Sequence, residues 1–381
     1  MRHHNSVFHQ VLKHVPWSVF ERLVDKHRAD YRVRRLTSKS QFLALLFGQL
    51  AGASSLREIE AGLISHSARL YHVGGCCVAR TTLADANAGR PAALYGDLFA
   101  HMASGASRRT RRHLADAVRI LDATRVQVSS LSSGWVETVS GKRAIKLHVA
   151  YDPHIDAPLR VDITDHKVND IGPAKTMPVE PGMTYVFDLA YYDYGWWAEL
   201  DALGCRFVTR LKTSTPVSVT TQLAVPEGSN ILSDCIGLLP QRQKYARKNP
   251  MSDPVRKIAV RISTGKIIRL VTNDLDAPAA EIAELYKQRW QIELFFKWIK
   301  QNLKIRHFLG ASENAVRIQV YVAMITYLLL RAAQAVQKAI DQPLAFVRLV
   351  RLNLMHRRPI SDLNYPPPTP IYDSRQMCLG L

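Results

Sequence analysis

The sequence predicts an α/β protein in which two helical regions flank a central region rich in strands. Apolar residues recur at helical steps through residues 1–106 and again after residue 310. Between Val118 and Asp274, short apolar runs and apolar–polar alternation indicate strands. Some of these strands are apolar on both sides, which is typical of a sheet that helices cover on both faces.

The chain is strongly basic. Its 381 residues include 51 Lys and Arg against 32 Asp and Glu, a formal net charge of +19. A soluble protein with this charge usually binds a polyanion, because neutralised phosphates release condensed counterions. An anionic membrane surface is the competing partner, but the most apolar run, Val320–Leu330, is too short to span a bilayer and predicts a buried helix. We therefore expect a polyanionic partner and no membrane.

Cysteine usage and the first residues indicate the compartment. The five cysteines show no CxxC spacing and are odd in number, which favours neither a zinc site nor a disulfide framework. The first ten residues lack the apolar segment of a signal peptide. We expect a cytoplasmic, nucleoid-associated protein.

Residues 1–106 predict a helical domain. Capping residues mark three helix starts, at Thr37 or Ser38, at Ser54 or Ser55, and at Thr81 or Thr82. Gly52 is expected to end the first of these helices. The later two, with Arg80 and Arg90 at the flanks of the second, resemble a helix-turn-helix DNA reader, although many helical bundles share this pattern.

A basic segment, residues 107–116, follows this domain. It contains four arginines in five positions: Arg108, Arg109, Arg111 and Arg112. Two interpretations remain open, a linker that follows a phosphate backbone and a plain interdomain linker.

Strands predict the first part of the core, residues 117–212. The runs 118–127 and 184–193 are apolar, each with an Asp inside it. The segments 144–152 and 159–165 alternate and suit a hairpin. A helix over 196–204 and a strand over 206–212 follow.

A β-rich insertion, residues 213–256, interrupts the core, which resumes over residues 257–310. In this second part, strands over 257–263 and 267–274 flank a Thr264–Gly265 turn. Residues 311–381 are predicted to be a helical segment with an extended, proline-rich tail.

Tyr286 to Lys300 predicts one helix that carries a lone carboxylate. Tyr286, Arg289, Glu293 and Lys300 follow the pattern Y-x2-R-x3-E-x6-K, and these steps place them on one helix face with Lys297. A neighbouring stripe of Leu285, Ile292, Phe296 and Ile299 is apolar and suits a core. The simpler interpretation is a solvated charged face with an Arg–Glu pair.

Asp122 and Asp188 make the simpler interpretation less attractive. Each lies inside an apolar strand, where a charge is costly unless it is paired or binds a metal. If the strands are neighbours and the helix packs on the sheet, both aspartates converge with Glu293. Three carboxylates suit two hard divalent cations such as Mg²⁺ that act on a phosphodiester. The residues alone indicate a metal-dependent nuclease or strand transferase.

These residues also carry a family resemblance. The chain resembles bacterial insertion-sequence transposases of the DDE type, in the insertion-sequence-four family that the Y-x2-R-x3-E-x6-K signature defines. The resemblance includes the blocks VRILDATRVQ and VFDLAYYDYGWWAELDALGCRFVTRLK and the opening MRHHNSVFHQVLKHVPWSVFERLV. It covers residues 1 to about 310.

The resemblance implies an RNase H-like core with a β-rich insertion. It also implies Mg²⁺ or Mn²⁺ as cofactor and cut-and-paste movement of terminal inverted repeats. By this analogy Asp122 contacts two metal ions, Asp188 and Glu293 hold one each, and Tyr286, Arg289 and Lys300 contact DNA phosphates. A homodimer on paired DNA ends is expected. Two alternatives remain, a related nuclease that cuts without joining and a DNA-binding repressor with a dead catalytic site.

Some family members stack a flipped base on a tryptophan at a hairpin end. The candidates here are Trp135, Trp196, Trp197, Trp290 and Trp298. We interpret Trp290 and Trp298 as core-packing residues.

Overall fold

The computed structural model describes residues 5–111, 117–129, 131–132, 134–139, 142–242, 248–303, 305, 308–337 and 339–365. The α-helices are α1 (Val7–Leu12), α2 (Trp17–Lys26), α3 (Ser38–Ala51), α4 (Leu56–Ser65), α5 (Ser67–Leu70), α6 (Arg80–Gly89), α7 (Ala93–Arg111), α8 (Ile171–Thr176), α9 (Tyr194–Ala202), α10 (Ala279–Gln288), α11 (Trp290–Asn302), α12 (Glu313–Val336) and α13 (Pro343–Leu352). The strands are β1 (Val118–Gln127), β2 (Thr138–Val139), β3 (Lys142–Asp152), β4 (Ala157–Asp165), β5 (Thr184–Phe187), β6 (Arg206–Arg210), β7 (Ser218–Gln222), β8 (Ile231–Leu238), β9 (Val255–Arg261) and β10 (Ile267–Thr272).

The described strands form one mixed sheet in the order β2-β3-β1-β5-β6-β10-β9-β8-β7, with β4 also paired to β3. Strands β1, β5 and β6 are parallel neighbours, whereas β3 and β4 form the predicted antiparallel hairpin. The α/β prediction is confirmed. Strands β7 and β8, from the predicted insertion, continue this sheet beyond β9.

Helices cover both faces of the sheet, as the apolar strands predicted. On one face, α9 packs with Trp196 and Trp197 against Phe187 and Phe207. On the other face, α10 packs on β5, β6 and β10, and α11 packs on β1. The stripe of Leu285, Ile292, Phe296 and Ile299 is buried there, as expected. The central strands β1, β5, β6 and β10 therefore lie between two apolar layers.

The N-terminal helices and the C-terminal helices share one core. Helix α12 contacts α1, α3, α6, α7 and α13 as well as β4. By length and composition α12 could cross a membrane, but 78% of its apolar window is buried inside the protein, as in a core helix. The helical region at the start of the chain therefore packs around α12.

Local capping signals were reliable at two of the three predicted helix starts. Thr37 caps α3, and Gly52 ends it with a φ of 75°, which glycine adopts without strain. Ser55 caps α4. The expectation that Thr81 or Thr82 caps a helix is wrong, since α6 begins at Arg80 after Ala79 and has no side-chain cap. Helix α7 extends through 107–111, the first half of the basic segment.

Candidate active site

Asp122 and Asp188 follow paired positions of two parallel strands. Leu121 of β1 pairs with Phe187 of β5, so the aspartates come next on each strand. Phe187 is the last residue of β5, which places Asp188 at the carboxyl end of that strand. The register aligns the two carboxylates on one face of the sheet. The expected convergence of the two acidic strands is therefore present.

Backbone N–H groups orient both carboxylates. Asp122 Oδ1 accepts a hydrogen bond from the N–H of Ala123 at 2.7 Å. Asp188 Oδ1 accepts one from the N–H of Ala190 at 2.8 Å and caps a short 3₁₀ helix, Leu189–Tyr191. The strand predicted over 184–193 is therefore too long, because the Asp188 side chain initiates a turn.

Glu293 is linked to Asp122 through Arg289. One guanidinium nitrogen, Nη2, lies 2.6 Å from Glu293 Oε1, and Nη1 lies 3.5 Å from Asp122 Oδ2. The Arg289 side chain is 15% exposed and that of Asp122 is 17% exposed, so solvent screens their contact weakly, whereas Glu293 is 36% exposed. The arginine therefore holds the helix that carries Glu293 against the acidic strand.

Arg289 also interrupts the helix that the sequence predicts over Tyr286 to Lys300. Helix α10 ends at Gln288 and α11 begins at Trp290. The N–H of Arg289 donates to the Tyr286 carbonyl at 3.1 Å, which is the tighter i→i−3 bond of a 3₁₀ turn. The prediction of one unbroken helix is wrong at this residue. Tyr286, Arg289 and Glu293 nevertheless lie together, as predicted.

Tyr286 and Lys300 lie at the same site. Tyr286 is 8% exposed, and the guanidinium carbon of Arg289 lies 5.8 Å from the centroid of its ring. Lys300 donates a hydrogen bond to Thr124 Oγ1 on β1, two residues beyond Asp122. Lys297 is exposed on α11. The structure therefore brings Tyr286, Arg289 and Lys300 to the acidic strands and leaves Lys297 facing solvent.

Only part of the basic segment, residues 107–116, lies within the described residues. Residue 112 lies outside the described residues, as do the side chains of Arg108, Arg109 and Arg111. The expected role of these four arginines stays a prediction.

The pKa of Asp122 is raised to about 7, mainly by burial, and nearby Asp188 and Glu293 contribute in the same direction. The N–H of Ala123 and the Arg289 guanidinium act in the opposite direction. The three predicted carboxylates thus interact electrostatically. A bound cation would relieve the electrostatic repulsion between these carboxylates.

In the stretches of chain that the structure covers, no group of three or more His, Cys, Asp or Glu side chains is arranged closely enough to hold a metal ion. The guanidinium of Arg289 binds both Asp122 and Glu293. Direct metal bridging by all three carboxylates therefore stays a prediction.

Two further residues border the site and were missed by the sequence analysis. Burial raises the pKa of Tyr286, Arg210 at the carboxyl end of β6 lowers it, and Asp188 raises it. Burial also raises the pKa of Tyr191, with Asp122 and Asp188 adding to the effect. The available signal was position, since Arg210 ends the parallel strand next to β5.

The five candidate tryptophans have different environments. Trp196 and Trp197 are buried, Trp135 donates from its indole N–H to the Ala311 carbonyl, and Trp298 packs on Tyr327 with ring centroids 4.9 Å apart. The core prediction is confirmed for Trp298. It is wrong for Trp290, which is 58% exposed and directly follows Arg289.

Two protein families and several known proteins are similar to this chain. A transposase DDE domain matches residues 113–329, and a domain family of unknown function, DUF4372, matches residues 3–76. The y4zB protein of Sinorhizobium fredii (strain NBRC 101917 / NGR234), which is named as a transposase, is 41% identical over 300 residues, 78% of this chain and 83% of that protein.

Other relatives carry similar names. A Geobacillus stearothermophilus protein named as a transposase for insertion sequence element IS5377 is 31% identical over 259 residues, 67% of each chain. Among solved structures, a piggyBac transposase synaptic complex with hairpin DNA aligns with a TM-score of 0.41 and 10% identity, over 94% of this chain and 81% of that one.

Proposed function

The chain belongs to the family of DDE-domain insertion-sequence transposases, and on this premise we propose that it cuts terminal inverted repeats and joins them to target DNA. The register that aligns Asp122 with Asp188, together with the Arg289 bridge to Glu293, carries this proposal. We further propose that β1 and β3 to β6 form an RNase H-like core into which the segment with β7 and β8 is inserted.

The donor set fits hard divalent cations. Asp122, Asp188 and Glu293 offer only carboxylate oxygens, which Mg²⁺ and Mn²⁺ prefer. The pKa of Asp122 is raised mainly by burial, and its acidic neighbours Asp188 and Glu293 add to the effect. These three residues would hold two ions. When bound, the ions supply Lewis acidity and an activated water or 3′-OH.

The cationic residues would position the DNA. The planar guanidinium of Arg289 can bind a phosphate through two N–H groups, and Lys300 can act as a point charge. Because Arg289 binds Asp122 and Glu293 in the DNA-free chain, a phosphate must draw it away from these acids. Tyr286 packs on the same guanidinium and would limit its movement to one side.

Other parts of the chain would bind DNA away from the chemistry. Residues 1–106 would recognise the inverted repeat, and Arg108, Arg109, Arg111 and Arg112 would follow the phosphate backbone. Two chains would pair two transposon ends as a homodimer. The net charge of +19 supports a nucleoid-associated location in the bacterial cytoplasm.

Trp290 is the best candidate for stacking on a flipped base. Its exposed indole borders the Arg289 turn, and stacking on an aromatic ring contributes about 1–3 kcal/mol per base. A transposon end with 2-aminopurine near the cut should brighten on binding if the base unstacks, and Trp290→Ala should change that signal. Trp135→Ala serves as the control, and an equal effect of both variants would contradict the assignment.

The decisive experiment incubates the chain with end-bearing DNA, a target plasmid and Mg²⁺. Cleaved ends joined to the plasmid, absent with Asp122→Ala, are the expected products. Cleavage without joined product would favour the nuclease alternative. Binding without nicking, unchanged in Asp122→Ala, would favour the repressor.

A further inference from the structure

We propose that residues 28–36, which we call the arginine loop, and the outward face of α6 together form a docking surface for duplex DNA. The inference rests on the proposed function only in taking the duplex to be a transposon end. It places DNA contact on a loop outside the helix-turn-helix pattern of the sequence.

The arginine loop is rich in exposed basic residues. Residues 22–39 contain seven Lys and Arg residues but only two acids, Asp25 and Asp30. The side chains at the loop surface are exposed and basic: Arg28, Arg32, Arg34 and Arg35. Over the described ranges of the chain, none of these four forms an ion pair with a carboxylate. Such a cluster of like charge is stabilised by an anionic partner.

The backbone of the loop is held in place before any partner arrives. Arg28 and Arg32 have φ angles of 49° and 58°, which non-glycine residues rarely adopt. Asp30 Oδ1 accepts hydrogen bonds from the N–H of Ser38 at 2.7 Å and from its hydroxyl at 2.8 Å. A fixed loop loses little conformational entropy when it binds.

Arg90 ties the arginine loop to the end of α6. Its guanidinium donates to the Leu36 carbonyl and, at 3.0 Å, to Gln41 Oε1. Arg90 is 8% exposed, so this arginine at the flank of α6 is buried in the protein. Its role is to hold the loop beside the helix.

An open groove separates the loop from α6. Val33, Arg34 and Arg35 line one side, and Thr82, Asp85 and Gly89 line the other. The side chains exposed on α6 are mostly short: Arg80, Thr81, Thr82, Ala84, Asp85 and Ala88. Short side chains allow a helix to approach base edges in the major groove, and a carboxylate such as that of Asp85 can accept from the amino group of cytosine.

The composition of this surface favours DNA over a membrane. A membrane-binding face needs large apolar side chains that insert between lipids. Tyr31 is 68% exposed here, and the guanidinium carbon of Arg32 lies 5.1 Å from the centroid of its ring. The exposed residues of α6 include no large apolar side chain. The surface therefore suits phosphates and base edges.

The test measures binding of the full-length chain to a labelled end-bearing duplex in EDTA, by anisotropy at several salt concentrations. The variants are Arg34→Gln with Arg35→Gln, neither at a positive φ, and the triple that adds Arg32→Gln. The control triple, Arg261→Gln with Lys266→Gln and Arg348→Gln, removes the same charge from exposed positions outside residues 1–106. Each phosphate contact contributes about 0.9 to the slope of log K against log salt.

We expect the slope to fall by about 2 in the double variant and about 3 in the triple, with a loss of at least tenfold in affinity near 0.1 M salt. The control triple should change the slope by less than about 1. Equal slopes for the loop and control triples would overturn the inference.

Two comparisons distinguish duplex docking from membrane binding and from catalysis. If the loop triple loses binding to phosphatidylglycerol vesicles while its duplex binding is unchanged, the surface binds membranes and the inference is overturned. If the wild type cuts and joins ends while the loop triple binds duplex normally, only this inference fails. If the triple loses duplex binding while the wild type does not cut, only the proposed function fails.

Discussion

Arg289 and the arginines of the arginine loop show how surroundings give one residue type different roles. Arg289 is 15% exposed and bridges Asp122 and Glu293. Arg34 and Arg35 are exposed and form no ion pair with a carboxylate in the described residues. The first guanidinium must exchange partners to bind a phosphate, whereas the second group can bind one directly. A guanidinium can therefore exchange an acidic partner for a phosphate at one site and bind a phosphate directly at another.

Arg90 adds a third environment within the same helical region. It is buried, and it contacts a carbonyl and an amide oxygen rather than an acid. Its charge fixes the position of the loop. The basic composition alone does not separate this anchor from the exposed arginines beside it.

The largest expected effect separates chemistry from docking. Asp122→Ala should lower end cleavage by about 10³-fold or more, since the variant lacks a carboxylate that a two-metal mechanism needs. Its duplex affinity in EDTA should stay within about threefold of wild type. Gel assays of cleavage and anisotropy of binding measure the two quantities. A parallel loss of both would indicate that the two regions do not act separately.

The pH dependence of stability should report the acidic cluster. The pKa of Asp122 is about 7 in the folded chain against 3.8 for an ordinary Asp, so the folded state keeps a proton that the unfolded chain loses between about pH 4 and 7. The contribution of Asp122 to the free energy of unfolding therefore falls as pH rises from about 4 to about 7. Asp122→Asn should gain about 2–4 kcal/mol over wild type by pH 8 without metal, measured by urea unfolding.

Asp97 provides a control of opposite sign for this experiment. Burial opposes its ionisation, but hydrogen bonds from Lys26 and His27 hold the pKa of Asp97 below its usual value. Its contribution is present above the unfolded pKa and is lost as pH falls. Asp97→Asn should therefore cost stability at neutral pH, and a gain there would refute the favourable role of this carboxylate.

The anchor and the exposed arginines should differ in stability. Arg90→Ala should cost about 2–4 kcal/mol, because it leaves the Leu36 carbonyl and part of Gln41 without a donor inside the core. Arg34→Ala should stay within about 0.5 kcal/mol of wild type. Chemical denaturation measures both, and equal costs would show that the exposed arginine also has a structural role.

The smallest expected effect concerns Arg289. Arg289→Gln removes a cation from the carboxylates, so the DNA-free chain should bind Mn²⁺ about tenfold more tightly, or about 1.4 kcal/mol. Electron paramagnetic resonance of free Mn²⁺ measures this affinity. Lys297→Gln is the matched control, because Lys297 is exposed on the same helix. Unchanged affinity in Arg289→Gln would show that the arginine does not compete with metal.

Much of the site could be predicted from short patterns. Asp122 and Asp188 stood out because an acid inside an apolar strand is costly, and helical spacing grouped Tyr286, Arg289 and Lys300 correctly. Trp290 was misassigned because its neighbours on α11 are buried, while its own direction depends on the turn at Arg289. A window of sequence records spacing but not the packing angle between two helices.

The sequence by itself determined the features that adjacent residues control. Thr37 and Ser55 cap their helices through bonds to N–H groups three residues away, and the β3–β4 hairpin follows from alternation and a short connection. These elements form from local hydrogen bonds, so local sequence suffices to predict them.

Tertiary structure decided the arrangements that join distant segments. The pairing of Leu121 with Phe187, the bridge from Arg289 to Asp122, and the link from Arg90 to Leu36 each connect residues far apart in the chain. Burial between two apolar layers fixes the first two, and packing around α12 brings the N-terminal helices together. Such contacts depend on the summed packing of the whole chain, which no single stretch of sequence contains.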